Sequence, residues 1–306
     1  MVPAMNIKTH HLRDLLAVAD RGSISAAAKH LGISQPALSR SIRDLERILA
    51  APLLERTARG ALLTTLGALF VRRARASVAE LIRAQEEVAQ HLGSEEGHVT
   101  ACLSSVSHIA LMPGALPKFR IRYPGVRLRI IEGTYLIHES KLLDGTIDFY
   151  VGPVPGRGTA PGLQVHKLFD NTRWIYARRG HPRAKARSLR DLVDADWITT
   201  SLTEKPEQEF DAIFARHGLP APRIVLQAES ALTWITAVAS SDMLSLTARQ
   251  FAASPMVRSV IERIAIREAL EAPPIMRVQR SAIPLAPAAQ HFSDLLEREA
   301  RRQLPK

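Results

Sequence analysis

Hydrophobic residues recur with a helical period near the amino terminus, between residues 23 and 49. Every third or fourth position of the second half of this stretch is apolar: Leu38, Ile42, Leu45 and Leu49. That spacing puts them on one face of a helix. Ser34 is placed to cap this helix, and Gly32 before it supplies a turn residue at which a positive φ is easily reached. With a shorter helix starting after Ser23 or Ser25, the pattern predicts two helices joined by a tight turn.

The opposite face of the second helix is polar and basic. We predict that it enters a DNA major groove, and the side chains assigned to this contact, with one from the preceding helix, are Ser25, Ser34, Gln35, Pro36, Ser39, Arg40 and Arg43. Arginine can donate two hydrogen bonds to guanine, amides can pair with adenine, and small residues let a helix sit deep. The alternative is an ordinary solvated face on which Asp44 and Glu46 pair with neighbouring arginines.

Residues 52–64 favour the DNA interpretation, because they predict two short strands around a basic turn. A basic hairpin beside such a helix forms a wing, which can place arginine on phosphates or in a minor groove. The residues assigned to this contact are Arg56, Thr57 and Arg59.

Residues 65–92 predict a long helix without proline. Apolar residues cover a broad side of it, and a helix of this length needs a partner to bury that side. The partner can be the same helix of a second chain or the carboxyl-terminal part of its own chain, and we expect the first arrangement, a dimer.

After a polar hinge at 93–97, strand-like and helix-like segments alternate, which predicts an α/β fold with a mainly parallel sheet. The predicted strands are 98–103, 126–132, 147–151, 172–178, 197–200, 223–227, 243–246 and 275–280. The predicted helices are 113–123, 136–143, 206–217, 232–239, 248–253 and 286–302. Residues 152–162 and 268–274 are predicted crossovers.

Residues 12–92 resemble the DNA-binding half of LysR-type transcriptional regulators, and the chain length and the rest of the sequence extend the resemblance to nearly all 306 residues. The residues that carry it are Ala27, Ala28, Leu31, the run Ser34 to Ser39, Ile42, Leu45, Glu46, Pro52 to Arg56, Leu63, Thr64 and Gly67. The resemblance implies an α/β protein with an all-α winged helix-turn-helix, a linker helix that pairs antiparallel with its twin, and a periplasmic-binding-protein-like effector domain. The implied domains are 1–64, 65–92 and 93–306. The last contains subdomain I, about 98–163 and 269–306, and subdomain II, about 164–268.

In such folds a ligand lies between the subdomains, where strands end and helices begin. The residues expected to bind an effector are Ser104, Ser105, Val106, Tyr135, Gly152, Pro153, Thr200, Ser201 and Ser230. The alternative for the hydroxyls is a role as helix caps. The side chains in this set are neutral. An organic anion is nonetheless the effector favoured by the hydroxyls, by the partial positive charge of helix amino termini and by the net charge.

Composition adds a basic balance and excludes several classes of site. The formal charge is +11, which suits a polyanionic partner. Residues 1–92 contain 13 Lys and Arg against 8 Asp and Glu, so roughly half of the excess lies elsewhere and says nothing about DNA. The single cysteine, Cys102, leaves no internal disulfide or cysteine metal cluster, and its apolar surroundings predict a buried, inert thiol.

Two other classes of protein are less consistent with the sequence. An enzyme lacks support because no nucleophile elbow, zinc-protease helix, phosphate-binding loop or dinucleotide fingerprint occurs, and nothing orients His108 as a base for Ser104. No cofactor is therefore expected. A solute-binding protein would not explain the first 92 residues. No signal peptide or membrane span is found, so we expect a cytoplasmic regulator without membrane contact. It would bind double-stranded DNA and a small-molecule effector, and self-associate to a dimer and on to a homotetramer.

Overall fold

The computed structural model describes residues 6–57, 60–92, 94, 96–156, 158–200 and 206–303, with side chains except at 56, 57, 91 and 206. The chain divides into two compact units. The first is Met1–Leu92 with Leu143–Thr146, and the second is Gly93–Leu142 with Ile147–Lys306. Within the described ranges no helix combines the length and apolarity needed to cross a bilayer.

The first unit is helical apart from one hairpin. Its elements are α1 (Thr9–Arg21), α2 (Ile24–Leu31), α3 (Gln35–Leu49), β1 (Leu54–Thr57), β2 (Gly60–Leu63) and α4 (Thr65–His91). Leu15, Val18, Leu38 and Leu45 are completely buried at its centre. Since α2 contributes Ala27 and Ala28 to this core, its backbone can approach the neighbouring helices closely.

The starts of α2 and α4 follow from local hydrogen bonds. The Ser23 hydroxyl accepts from the Ala26 N–H at 3.1 Å, so Ser23 rather than Ser25 caps α2. The Thr64 hydroxyl accepts from the Gly67 N–H at 2.9 Å and donates to the Pro52 carbonyl. Gly67 is required at this point, because a Cβ there would lie 2.0 Å from the Leu53 carbonyl oxygen. The beginning of α4 is therefore packed tightly on the hairpin.

The second unit is a mixed sheet covered by helices. Its strands are β3 (Gly97–Leu103), β4 (Val126–Glu132), β5 (Phe149–Pro153), β6 (Leu163–Arg178), β7 (Asp196–Thr200), β8 (Arg223–Ala228), β9 (Leu244–Ala248), β10 (Ile261–Ile264) and β11 (Leu270–Arg280). Its helices are α5 (Ser105–Arg122), α6 (Tyr135–Leu143), α7 (Pro206–Arg216), α8 (Ala231–Ala239), α9 (Pro255–Arg258) and α10 (Pro287–Arg301), with 3-10 turns at Leu189–Leu192 and Arg249–Ala253.

The strand order is β4-β3-β5-β11-β6-β9-β7-β8, with β10 on β6. Parallel pairs flank β3 and β7, whereas β6 and β11 run antiparallel to each other and to their other neighbours. These two long strands pass through both halves of the sheet and connect them. Their pairing shifts register between Ala272 and Ile275, where two prolines interrupt the ladder because proline has no N–H to donate.

Several predicted bounds are corrected by these elements. The crossover predicted at 268–274 lies largely within β11, and the strand predicted at 172–178 is only the second half of β6. The helix predicted at 248–253 is a 3-10 turn, and β10 was not predicted.

The largest correction concerns α5, which was predicted to begin at residue 113 and begins at Ser105. Proline favours a helix start, yet Pro113 and Pro117 both lie inside this helix. A proline inside a helix costs about 3 kcal/mol. That cost is offset by burial of Leu111, Ala115 and Phe119 against the core that α5 shares with α10.

Candidate functional site

Helix α3 presents a polar face from a firmly packed base. Leu38, Ile42 and Leu45 are buried, while Gln35, Arg40 and Arg43 lie in solvent. The Ser34 hydroxyl accepts from the Ala37 N–H at 3.3 Å, as predicted. The amino-terminal turn of α3 is thus defined by a cap, and its orientation by the core beneath it.

The positive charges on this face are only partly compensated. Arg40 is exposed and has no ion pair among the residues that the structure describes. The Arg43 Nε donates to the Ser39 carbonyl at 3.3 Å, which holds the side chain along the helix without neutralising it. One turn further on, Arg47 pairs with Asp44 at 3.3 Å. The amino-terminal half of the face therefore carries the uncompensated charge.

The hairpin is bound to α3 and to the loop between α1 and α2. Glu46 of α3 accepts hydrogen bonds from the backbone N–H groups of Leu53 and Leu54, at 2.8 and 3.2 Å. On the other side, the Ala61 N–H donates to the Gly22 carbonyl at 3.0 Å. A Cβ at Gly60 would lie 2.5 Å from that same oxygen, so only glycine permits this approach. The hairpin has a defined position beside α3.

The structure describes most of the predicted DNA contacts. Six of them are exposed around the start of α2 and α3: Ser25, Ser34, Gln35, Pro36, Arg40 and Arg43. Ser39 is half-buried on the same helix. Arg56 and Thr57 have backbones in β1, but their side chains lie outside the described set, and Arg59 lies outside the described residues altogether.

A cavity opens in the second unit where β3, β5, β7 and β8 end. It encloses about 760 Å³, part of it open to solvent. Two helices begin at its wall, α5 after Ser104 and α8 after Ser230. The first N–H groups of a helix have no acceptor within the helix and carry partial positive charge. The cavity is therefore provided with hydrogen-bond donors from two helix ends.

The serines at these helix ends are partly committed to capping. The Ser230 hydroxyl accepts from the Thr233 N–H at 3.1 Å. The Ser104 hydroxyl lies 2.9 Å from that of Ser107, while His108 contacts the Ser104 carbonyl rather than its hydroxyl. The side chains of Ser104 and His108 thus do not form a nucleophile–base pair.

Most predicted effector residues line the cavity, and two of the others, Tyr135 and Gly152, have defined positions away from its wall. Those on the wall are Ser104, Ser105, Val106, Pro153, Thr200 and Ser230. Tyr135 does not line it, because its ring is buried against Tyr150 with centroids 5.9 Å apart and its hydroxyl donates to Glu139. Gly152 lies beneath Ser104, where a Cβ would approach the serine Cβ to 2.7 Å. Ser201 lies outside the described residues.

Six polar residues of the wall were not predicted: Glu132, Thr134, Asn171, Arg173, Glu229 and Thr247. The predicted set was neutral, whereas the actual wall is charged. Glu132 ends β4 and Glu229 follows β8, so the rule that selected Ser104 would also have found them. Asn171 and Arg173 carried no such signal, because they lie in the middle of β6.

The buried Cys102 thiol and Tyr150 hydroxyl near this cavity are protonated at neutral pH. Burial raises the pKa of the Cys102 thiol to about 12, with a small opposing effect from Lys141. Burial also raises the pKa of Tyr150 well above its usual range. Cys102 is fully buried, as predicted, and stays protonated at neutral pH. Within the described ranges no three His, Cys, Asp or Glu side chains are grouped so as to hold a metal ion.

The fold and its two sites define a class of protein, a winged helix-turn-helix DNA-binding regulator with a ligand-binding α/β domain. Family models agree over most of the chain. Residues 9–68 match the bacterial regulatory helix-turn-helix protein of the lysR family, and residues 92–301 match the LysR substrate binding domain. The chain belongs to the LysR family of transcriptional regulators, which act by binding DNA and are not enzymes.

Individual relatives are consistent with this, and solved structures share the fold. The SDS degradation transcriptional activation protein of a Pseudomonas species is 31% identical, covering 96% of this chain and 97% of that one. The regulator GbpR of Rhizobium radiobacter is 29% identical over 79% of this chain and 82% of its own. The crystal structure of CbnR, a LysR family regulator, has a TM-score of 0.70 at 22% identity, covering 96% of this chain and 99% of that one. CbnR complexed with its target DNA gives 0.69 at 23% identity, with 96% and 100% covered.

Proposed function

We propose that this regulator reads double-stranded DNA with the face of α3 that contains Gln35, Arg40 and Arg43, while the wing contacts the backbone. The observation that carries the proposal is the uncompensated charge at the amino-terminal half of α3, on a helix held by a cap and a core. Residues near the start of a recognition helix are those that reach base edges. The contacts assigned to Ser25, Ser34, Pro36, Ser39, Arg56, Thr57 and Arg59 belong to this proposal.

Residues 1–64 would then bind DNA, 65–92 would join two subunits, and 93–306 would sense an effector. Helix α4 supports the dimer, since Leu66, Leu69, Leu81, Ile82 and Val88 are each about half exposed or more on this single chain. A second copy of the helix would cover them and fix the spacing of two recognition helices. Further association of dimers to a tetramer is part of the same proposal, as is action in the cytoplasm, where the bacterial chromosome lies.

The effector we propose is a small organic anion in the cavity between the two halves of the α/β unit. Support comes from the amino termini of α5 and α8, which bring donors and partial positive charge to one space. Binding would shift the population of conformations that the two halves adopt, and so change how bound DNA is held.

The DNA assignment is tested with operator fragments selected from a random library by the full-length protein. Arg40→Ala should lower affinity for the selected sequence by a free energy of about 1–3 kcal/mol and relax preference at one base position. The matched control is Arg258→Ala, which removes one exposed arginine from the other unit and should leave base preference unchanged. Fluorescence anisotropy titrations measure both. An Arg40→Ala protein with wild-type affinity and preference would contradict the assignment.

A further inference from the structure

Arg173 is a buried charge at the junction of two cavities. Its side chain is only 7% exposed. It stands two positions from Asn171 on the same face of β6. Both residues line the cavity at the starts of α5 and α8, which is called the cleft from here on. Arg173 also lines a second, more open cavity beside α7, together with Glu209 and Glu271. Arg173, together with Ala272 and Pro273, which also line both cavities, therefore lies between the cleft and the first turn of α7.

The guanidinium of Arg173 connects three elements. Its Nη1 donates to the Glu271 carbonyl of β11 at 3.1 Å, and its Nη2 forms an ion pair with Glu209 of α7. The strands β6 and β11 pass between the two halves of the sheet. The ion pair between Arg173 and Glu209 therefore attaches α7 to the strands that connect the two halves.

The charges around the cleft make Arg173 distinctive. Among the described lining residues it is the one cationic side chain, and the other charged ones, Glu132 and Glu229, are acidic. An acidic ligand therefore finds one side chain of opposite charge. The two glutamates disfavour a second acidic group by like-charge repulsion, and they accept hydrogen bonds from hydroxyl or amino groups.

We propose that Arg173 binds the carboxylate of a monoacidic ligand, which takes the place of Glu209 on the guanidinium. This rests on the proposed function, in which the effector is an organic anion. A guanidinium offers five donors in a planar fork that matches a carboxylate. Exchanging one carboxylate for another keeps the buried charge paired, whereas losing Glu209 without replacement would leave it uncompensated.

The exchange has a mechanical consequence. Glu209 lies in the first turn of α7, and its side chain is 25% exposed, so it can turn to solvent when displaced. Phe214, fully buried beside Trp197, keeps the rest of α7 in place. Ligand binding would thus release the first turn of α7 from the connecting strands without detaching the helix.

The test uses the full-length protein with acetate as the probe and chloride at equal ionic strength as the reference, measured by thermal unfolding. In chloride, Glu209→Gln should melt below wild type, because Arg173 has lost its partner. Acetate should raise the melting temperature of Glu209→Gln by at least about 2 °C more than that of wild type. The double variant Arg173→Met with Glu209→Gln, which removes both charges, should show no acetate-specific shift.

The outcomes separate this inference from the proposed function. Acetate could raise the melting temperature equally in wild type, in Glu209→Gln and in the double variant. That result would overturn the role of Arg173 and would place the anion site elsewhere in the protein. Absence of acetate stabilisation in all three would overturn both. If Glu209→Gln does not fold, Glu209→Asp replaces it, since a side chain shorter by one methylene loosens the ion pair, and the same ranking is expected.

Discussion

The carboxylate of Glu46 lies 2.8 Å from the backbone nitrogen of Leu53, so the exposed helix of the first unit and its wing share a hydrogen bond. Leu53 is 1% exposed, and its N–H has little access to water. One acidic residue, on a helix whose exposed face is basic, therefore helps to hold the wing beside α3.

Replacing this residue should loosen the wing. Glu46→Ala leaves the Leu53 N–H without its acceptor, at a cost of about 1–3 kcal/mol. We expect faster amide exchange at residues 53 and 54 by mass spectrometry, and weaker DNA binding even though a negative charge has been removed. Glu55→Ala, which removes an exposed carboxylate from β1, is the control and should bind DNA at least as tightly as wild type. Unchanged exchange in Glu46→Ala would show that the hydrogen bond does not hold the wing.

The apolar side of α4 should control self-association. Leu81 and Val88 are 51% and 60% exposed and lie seven residues apart, on one side of the helix. Changing both to glutamate should place charges in a dimer seam and increase the dissociation constant at least about tenfold, which corresponds to 1.4 kcal/mol. Sedimentation analysis measures the assembly state. Met256→Glu, at an equally exposed apolar position on α9, is the control. A doubly substituted protein that sediments like wild type would exclude α4 as the dimer contact.

Stability of the second unit should depend on pH through Glu299. Burial alone would raise the pKa of this carboxyl, but a hydrogen bond from Lys118 and the charge of Arg302 outweigh burial and lower it. Because the folded pKa lies below the unfolded one, the stabilisation is present above about pH 4.5 and is lost as pH falls through the folded value. Lys118 Nζ lies 2.6 Å from the carboxylate.

The substitution Glu299→Gln should therefore lower the free energy of unfolding by about 1.5–3 kcal/mol at pH 7, and by less in acid. Urea titrations followed by tryptophan fluorescence measure this, since Trp174, Trp197 and Trp234 all lie in the second unit. Glu207→Gln, on the exposed side of α7, serves as the reference and should follow the wild-type pH profile. A constant difference between Glu299→Gln and wild type across the pH range would contradict the assigned cause.

Local patterns were sufficient for the elements that carry local signals. The cap at Ser34, the apolar stripe of α3 and the strand at residues 126–132 each depend on neighbours within one element, and their bounds agree closely with the structure. Pro113 misled the prediction of α5, because the preference of proline for a helix start is local, whereas the burial that keeps α5 continuous through it comes from α10. The sequence likewise did not predict a strand at residues 270–274. A strand with two prolines is stable only where its partner strand allows a register shift, and that depends on the tertiary structure.

The amino-acid order thus specified the helix-turn-helix, the long helix and the α/β class, because periodicity and caps act over a few residues. The tertiary structure decided which side chains share the cleft. Asn171 and Arg173 reach it only because β6 continues from one half of the sheet into the other, and Tyr135 is kept from it by packing against Tyr150. Contacts between residues far apart in the chain depend on strand order and on the competition of all side chains for the same core. No short stretch of sequence specifies either of these.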